Sequence, residues 1–371
     1  MPPRTYKRRT RSFWHFQTLR DLVSDSMAID MGSANTVVAV RGRGVIVDEP
    51  SVVAVNKSSG EVVAIGREAR EMHGREAREV SLVWPVADGV VADFDNTARM
   101  LSHFVRSARG GVSHFSRRAV MSVLSGVTHV EHRALLAAAE EAHIGRVYMV
   151  EEGLAAAIGA GVNVEDKQAS VVVDIGGDST NVAVVSLGMI IYARAERTGS
   201  RDIDAAITER LRRFRGLVVG PATAERLKME LGSAVEPADA ARSLNVKGRD
   251  AATGTPAAID VTADEIYAVA RPVLAKIADA VKTTLGELQP EVAADIYDRG
   301  LIVTGGGALL EGMGEFLRRE TRLGAHVVEE PRHACVKGLM QLFDEPLLLR
   351  RVTRNEQSLL LDGEVTAYEI P

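Results

Sequence analysis

An aspartate that ends an apolar run, followed by a glycine turn and then a hydroxyl, brings together the groups needed to hold a phosphate and its metal. This chain carries that pattern twice. Asp30-Met31-Gly32-Ser33-Ala34-Asn35-Thr36 follows Met27-Ala28-Ile29, and Asp174-Ile175-Gly176-Gly177-Asp178-Ser179-Thr180 follows Val171-Val172-Val173. Backbone N–H groups in such a turn form a concave anion site, and a carboxylate at its edge can hold a hydrated cation. Gly32, Gly176 and Gly177 permit close approach of backbone to phosphate. Either loop alone reads as a tight turn between strands. Two copies 144 positions apart predict two related halves facing across a cleft, with Asp30 and Asp174 beside a metal and the loops clamping a nucleotide's phosphates.

Three further groups have the right chemistry for the same cleft. Glu151 and Glu152 fall at a strand end before a helix, where a carboxylate can orient an attacking water or simply answer the helix dipole. Thr304-Gly305-Gly306-Gly307 is a third glycine turn, able to pack a base or receive a phosphate, or else only to start a helix. Glu225 and Lys228 lie one helical turn apart, which from spacing alone is a solvated ion pair.

The elements that position these groups follow from periodicity. Strands are predicted at 27–30, 36–40, 45–47 and 51–55, then a polar stretch to Gly74 with a hairpin turn at Ser58-Ser59-Gly60. A helix is predicted at 95–108, a strand at 119–124, and a helix at 129–143 whose Thr128 and Glu131 form a capping box. Strand 147–151 and a small-residue helix from Leu154 to Gly161 close the first half. The second half restarts with strands at 170–174, 181–186 and 189–193, then helices at 200–214 and 222–232. Residues 233–258 read as a surface excursion, and the helix 263–286 as interrupted near Pro272. A strand at 300–304 leads through the glycines into a helix at 308–319, followed by a strand at 325–329, a helix at 333–344 and a terminal tail. Strand runs followed by helices, twice over, give two α/β domains with mixed sheets.

Composition excludes several classes. The 371 residues are 46% apolar and 26% charged, with net charge −5, enough for two cores and without the basic excess of a nucleic-acid binder. Aromatic content of 4% argues against a stacking platform for single strands. No apolar run reaches membrane-spanning length. The single cysteine, Cys335, rules out an internal disulfide and reads as a buried structural thiol in a reducing cytoplasm. Residues 1–26 are basic, holding Arg4, Lys7, Arg8, Arg9, Arg11 and Arg20 against Asp21 and Asp25. Phe16, Leu19 and Val23 share a helical face there, beside Phe13 and Trp14. That leader reads equally as a segment lying in an anionic membrane interface and as a solvated basic tail.

Together these residues resemble the actin, heat-shock chaperone and sugar kinase superfamily, and in detail the MreB/Mbl bacterial actins. Beside the two loops, the resemblance rests on Asp48-Glu49-Pro50-Ser51-Val52-Val53, Asp88-Gly89-Val90-Val91-Ala92-Asp93-Phe94, Ser125-Gly126-Val127-Thr128 and Glu152 with Ala155 to Gly161. It continues through Lys247-Gly248-Arg249-Asp250, Asp298-Arg299-Gly300 and Thr304-Gly305-Gly306-Gly307-Ala308-Leu309-Leu310, covering about residues 27–345 in order. It implies an α/β, actin-like (duplicated RNase H-like) fold. Domain I would be 27–157 plus 328–350 with subdomain IB at 51–81, and domain II 158–327 with IIB at 194–259, between the leader 1–26 and a tail 351–371. It implies ATP (or ADP) with Mg²⁺ in the central cleft, Asp30 and Asp174 near the metal, and Glu152 and Ser179 at the hydrolytic water and the γ-phosphate. Cofactor contacts would come from Gly32, Ser33, Ala34, Asn35, Gly176, Gly177, Asp178, Ser179, Thr180, Glu225, Lys228, Gly305, Gly306, Gly307 and Ala308. It implies self-assembly into filaments at the inner face of the plasma membrane, cytoplasmic and peripheral, with cell-wall synthesis and shape proteins as partners and no nucleic acid.

The chain departs from the family around the cleft. Asp178 replaces a third loop glycine, Ser179-Thr180-Asn181 stands for Thr-Thr-Glu, and Gly199-Ser200 for Gly-Asp. Leu124 and Gly153 replace prolines, and Met340 a glycine. Unless Asp178 points away or itself reaches the metal, an acid near the γ-phosphate predicts weak ATP binding and slow turnover. The alternatives are a nucleotide-binding scaffold in wall synthesis that does not cycle, and a small-molecule kinase of the same superfamily, for which no sugar or acid pocket with a catalytic base is evident. A chaperone would need a substrate domain beyond residue 345, and a cell-division actin a terminal amphipathic anchor.

Overall fold

The computed structural model describes residues 26–108 and 118–353, so the basic leader and the tail from 354 lie outside the described residues. Two five-stranded mixed sheets are built in the same order. In one, Arg146–Glu151, Arg118–Val123, Ser26–Met31, Asn35–Val40 and Gly44–Pro50 lie side by side. In the other the sequence is Ala325–Val327, Leu301–Thr304, Ser170–Ile175, Thr180–Ser186 and Met189–Glu196. In each, the first three strands run parallel and the last two complete an antiparallel meander from the middle strand. The central strand Ser170–Ile175 is buried along its whole length, as its unbroken valine run requires in a sheet covered on both faces.

Helices cover both sheets. Phe94–Ala108 and His129–Glu141 pack on the outer face of the first, and Ser200–Arg215, Pro221–Leu231, Ala263–Gly286 and Met313–Thr321 on that of the second. Thr128 caps His129–Glu141 with the expected reciprocal bonds to Glu131. Between the sheets lie two helices, Glu152–Gly159 and Ala334–Gln341, in a core that draws Ala28, Val120 and Val150 from one sheet and Val172 and Val185 from the other. They cross backbone to backbone: a Cβ on Gly338 would sit 1.8 Å from the Ala155 carbonyl oxygen, and one on Gly159 1.8 Å from that of Ala334. A small sheet of Val62–Ile65, Val53–Asn56 and Val80–Val83 with the helix Arg67–Glu71 stands apart on its own core of Val52, Ala54, Ala64 and Ala69. No described helix is long and apolar enough to cross a membrane.

Three expectations need correction. Much of the supposed surface excursion is an antiparallel hairpin, Ser243–Asp250 with Pro256–Thr262, whose two largely exposed faces carry polar residues that mask the strand signal. The helix Ala263–Gly286 runs unbroken through Pro272, which sits on its exposed side while Ile266, Ala270, Leu274, Ile277 and Val281 anchor the opposite stripe. The glycine turn after Leu301–Thr304 enters a single 3₁₀ turn, Gly306–Leu309, and the α-helix starts only at Met313 after left-handed Gly312. The helices Arg67–Glu71 and Pro290–Arg299 were not expected.

Candidate functional site

The two acid-and-glycine loops are equivalent hairpins. Gly32 N–H donates to the Asn35 carbonyl at 3.0 Å, and Gly176 N–H to that of Ser179 at 2.8 Å. Asp30 faces Val37 across one antiparallel pair, and Asp174 faces Asn181 across the other. Each aspartate also receives a hydroxyl from the parallel strand on its other side, Asp30 from Ser122 Oγ at 2.7 Å and Asp174 from Thr304 Oγ1 at 2.6 Å. The hairpins meet across a cavity of about 590 Å³.

That cavity is lined by Asp30, Gly32, Ser33, Ala34 and Asn35 from one loop and Asp174, Gly176, Gly177, Asp178 and Ser179 from the other. Glu152, Glu225, Lys228, Gly305, Gly306 and Gly307 complete the expected set. Two expected residues are not brought in. Thr180 is fully buried and its hydroxyl donates to the Thr198 carbonyl, and Ala308 is buried inside the 3₁₀ turn. The paired glutamates separate: Glu152 lines the cavity, whereas Glu151 accepts from Ser125 Oγ.

Three carboxylates line the cavity together, Asp174 buried and Asp30 and Glu152 half-buried. Burial raises Asp174 to about 6 against the pull of its Thr304 bond, and burial likewise raises Asp30. Glu152 is pushed well above the usual carboxylate range by burial, then by the charges of Asp174 and Asp30. Such a group of acids is eased by a cation. Among the described residues no three His, Cys, Asp or Glu side chains come together to ligate an ion directly. One carboxylate from each loop, Asp30 and Asp174, is a donor set that suits a hydrated ion such as Mg²⁺, which keeps several waters and uses few protein ligands. Asn181 Nδ2 donates to Glu152 Oε2 at 3.1 Å and orients it, so the Asn at this departure from the family places a donor beside the glutamate.

Glu225 pairs with Arg70 from the small-sheet helix, and both line the cavity. Lys228 Nζ is committed to Asp204 Oδ2 at 2.8 Å and the Ser200 carbonyl at 3.0 Å. On the first wall, Ser33 Oγ accepts from Gly89 N–H and Asn35 Nδ2 donates to Asp48, itself held by Arg332 and His333. Asp178, the acid expected to repel a phosphate, is held in a two-pronged ion pair by Arg201, whose role is not evident from the sequence. An acid within a phosphate-type loop is itself a signal to look for a basic partner nearby in the chain.

Two repeated sheets, with an acid-and-glycine hairpin from each on one cleft, define an actin-like protein. The chain matches the model of the MreB/Mbl protein family over residues 24–350, and it belongs to that family. It is 40% identical over 324 residues to the cell shape-determining protein MreB of Escherichia coli K12, covering 86% of this chain and 93% of that protein. It is 37% identical over 319 residues to the cell shape-determining protein Mbl of Bacillus subtilis 168, covering 86% and 95%. The crystal structure of MreB5 of Spiroplasma citri bound to ADP superposes with a TM-score of 0.83 at 30% identity, covering 88% of this chain and 98% of that one.

Proposed function

We propose that this chain binds ATP with Mg²⁺ in the cleft and assembles with itself into filaments at the inner face of the plasma membrane, where they organise cell-wall synthesis and cell shape. The observation that carries the nucleotide reading is the pair of equivalent hairpins whose aspartates, with Glu152, converge on one cavity. The ADP complex of the related MreB5 supports it. Asp30 and Asp174 would hold the metal through water, and the metal would offset phosphate charge. Ser179 and the loop amides would face the phosphates, with Glu152 near the hydrolytic water. Glu225, Lys228 and the glycines 305–307 would surround the nucleoside. Domain I would comprise 27–157 and 328–350, and domain II 158–327.

The departures at Asp178 and Asn181 favour a second reading, a scaffold that binds nucleotide without cycling. Negative-stain microscopy of the full chain on anionic lipid, with and without Mg-ATP, tests assembly, and a phosphate-release assay on the same samples separates the two readings. Filaments that require Mg-ATP together with phosphate release support the first. Filaments without release support the scaffold, and no filaments in either condition contradict both.

A further inference from the structure

We propose that Arg201 is a phosphate-contacting residue that makes this cleft favour a nucleoside triphosphate over a diphosphate. The proposal rests on the nucleotide reading above and adds a residue and a preference to it.

Arg201 is the second residue of the helix Ser200–Arg215, and that helix is stitched to the second loop. Ser200 N–H donates to the Gly176 carbonyl at 3.0 Å and Arg201 N–H to that of Gly177 at 2.8 Å. The side chain then turns back onto the loop tip. Its Nε donates to Asp178 Oδ1 at 2.6 Å and its Nη2 to Asp178 Oδ2. A Cβ on Gly177 would lie 2.7 Å from the Ala34 Cβ and 3.3 Å from Arg201 Nε, so the guanidinium rests where the two loops meet.

Four cationic side chains line the cavity among the described residues, and each is paired with a carboxylate. Arg70 is held by Glu225, Lys228 by Asp204 and Arg332 by Asp48. Arg201 is the one held at a loop tip, and its partner belongs to the loop itself. A guanidinium has five N–H donors in a plane, and the pair with Asp178 uses two of them. The rest remain to take a phosphate oxygen, in the geometry that arginine suits best. Asp178 thus keeps the guanidinium in place before nucleotide arrives, and the pair adds no net charge to the tip. The terminal phosphate of a triphosphate, beside Ser179, is the group such a side chain reaches and a diphosphate lacks.

Calorimetric titration of the full chain with Mg-AMPPNP and with Mg-ADP tests this. Arg201→Ala should weaken AMPPNP by about tenfold or more and ADP by less than about threefold. Arg201→Lys, which keeps the charge and the partner, should recover part of the loss. Asp178→Gly removes a negative charge and the hold on the guanidinium together, and should change AMPPNP binding by less than about threefold. Equal weakening of both nucleotides in Arg201→Ala, no change in either, or a loss in Asp178→Gly as large as in Arg201→Ala would each overturn the proposal. If the unmutated chain binds neither nucleotide, the nucleotide reading itself fails and this proposal with it.

Discussion

Asp30 and Asp174 stand 144 residues apart in the chain and in the same place in two sheets: each ends a central strand, faces a hairpin partner on one side and accepts a hydroxyl on the other. The hydroxyls, from Ser122 and Thr304, come from the strand that lies parallel to the aspartate's own. Each sheet thus pairs its aspartate with a hydroxyl donor that favours the charged form. A hydrogen bond to a charged group contributes about 1.5–3 kcal/mol. Thr304→Val keeps the shape and removes the donor, so Asp174 should hold its proton to higher pH and Mg-ATP binding at pH 7 should weaken by about tenfold. Ser122→Ala should do the same through Asp30. Titrations in which both variants match the unmutated affinity would show that the hydroxyls serve packing alone.

Protonation of the same cluster gives a pH dependence with a definite sign. Asp174 is raised from 3.8 to about 6, so the folded protein binds its proton more tightly than the unfolded chain does. A raised carboxylate costs nothing at low pH, and its cost grows as pH rises through the window between those two values. In EDTA and without nucleotide, Asp174→Asn should therefore gain on the unmutated protein as pH rises. The gain between pH 5 and pH 7 should be about 1 kcal/mol in urea unfolding. A difference between the two proteins that stays flat over this range would mean that Asp174 is ionised in both states.

The crossing of Glu152–Gly159 with Ala334–Gln341 ties the two sheets together, and it leaves no room for a methyl group. Gly338→Ala would bring the new carbon to 1.8 Å from the Ala155 carbonyl oxygen. Overpacking of that kind typically costs about 1–3 kcal/mol, here with backbone on both sides. Gly286, in the last turn of Ala263–Gly286, meets nothing within 4 Å, so Gly286→Ala should be neutral or slightly stabilising. Thermal unfolding of the two variants side by side reads the contrast, and similar midpoints would remove the tight crossing from the account.

Much of this site was legible in the sequence because its signals are local. An apolar run, an acid, a glycine turn and a hydroxyl are all contained in seven residues, and both loops fold as hairpins with the aspartates in register. The Thr128 capping box was readable for the same reason. What escaped were partnerships across space. Arg201 lies 23 residues beyond Asp178, and Arg70 lies 155 residues before Glu225. The hairpin Ser243–Asp250 with Pro256–Thr262 escaped because few of its residues face a core, and Pro272 misled because tertiary burial outweighs one missing hydrogen bond. Thr180 showed the hydroxyl that a phosphate loop needs, yet the strand's alternation turns it inward to Thr198.

The central claim is that this cleft holds a nucleotide and its metal between two aspartate hairpins. Calorimetric titration of Mg-ATP into the full chain and into Asp174→Ala tests it most directly. Loss of one carboxylate leaves the hydrated cation short of an acceptor while the phosphate charge is unchanged, so affinity should fall by about tenfold or more. An Asp174→Ala protein that binds Mg-ATP as tightly as the unmutated chain would contradict the account.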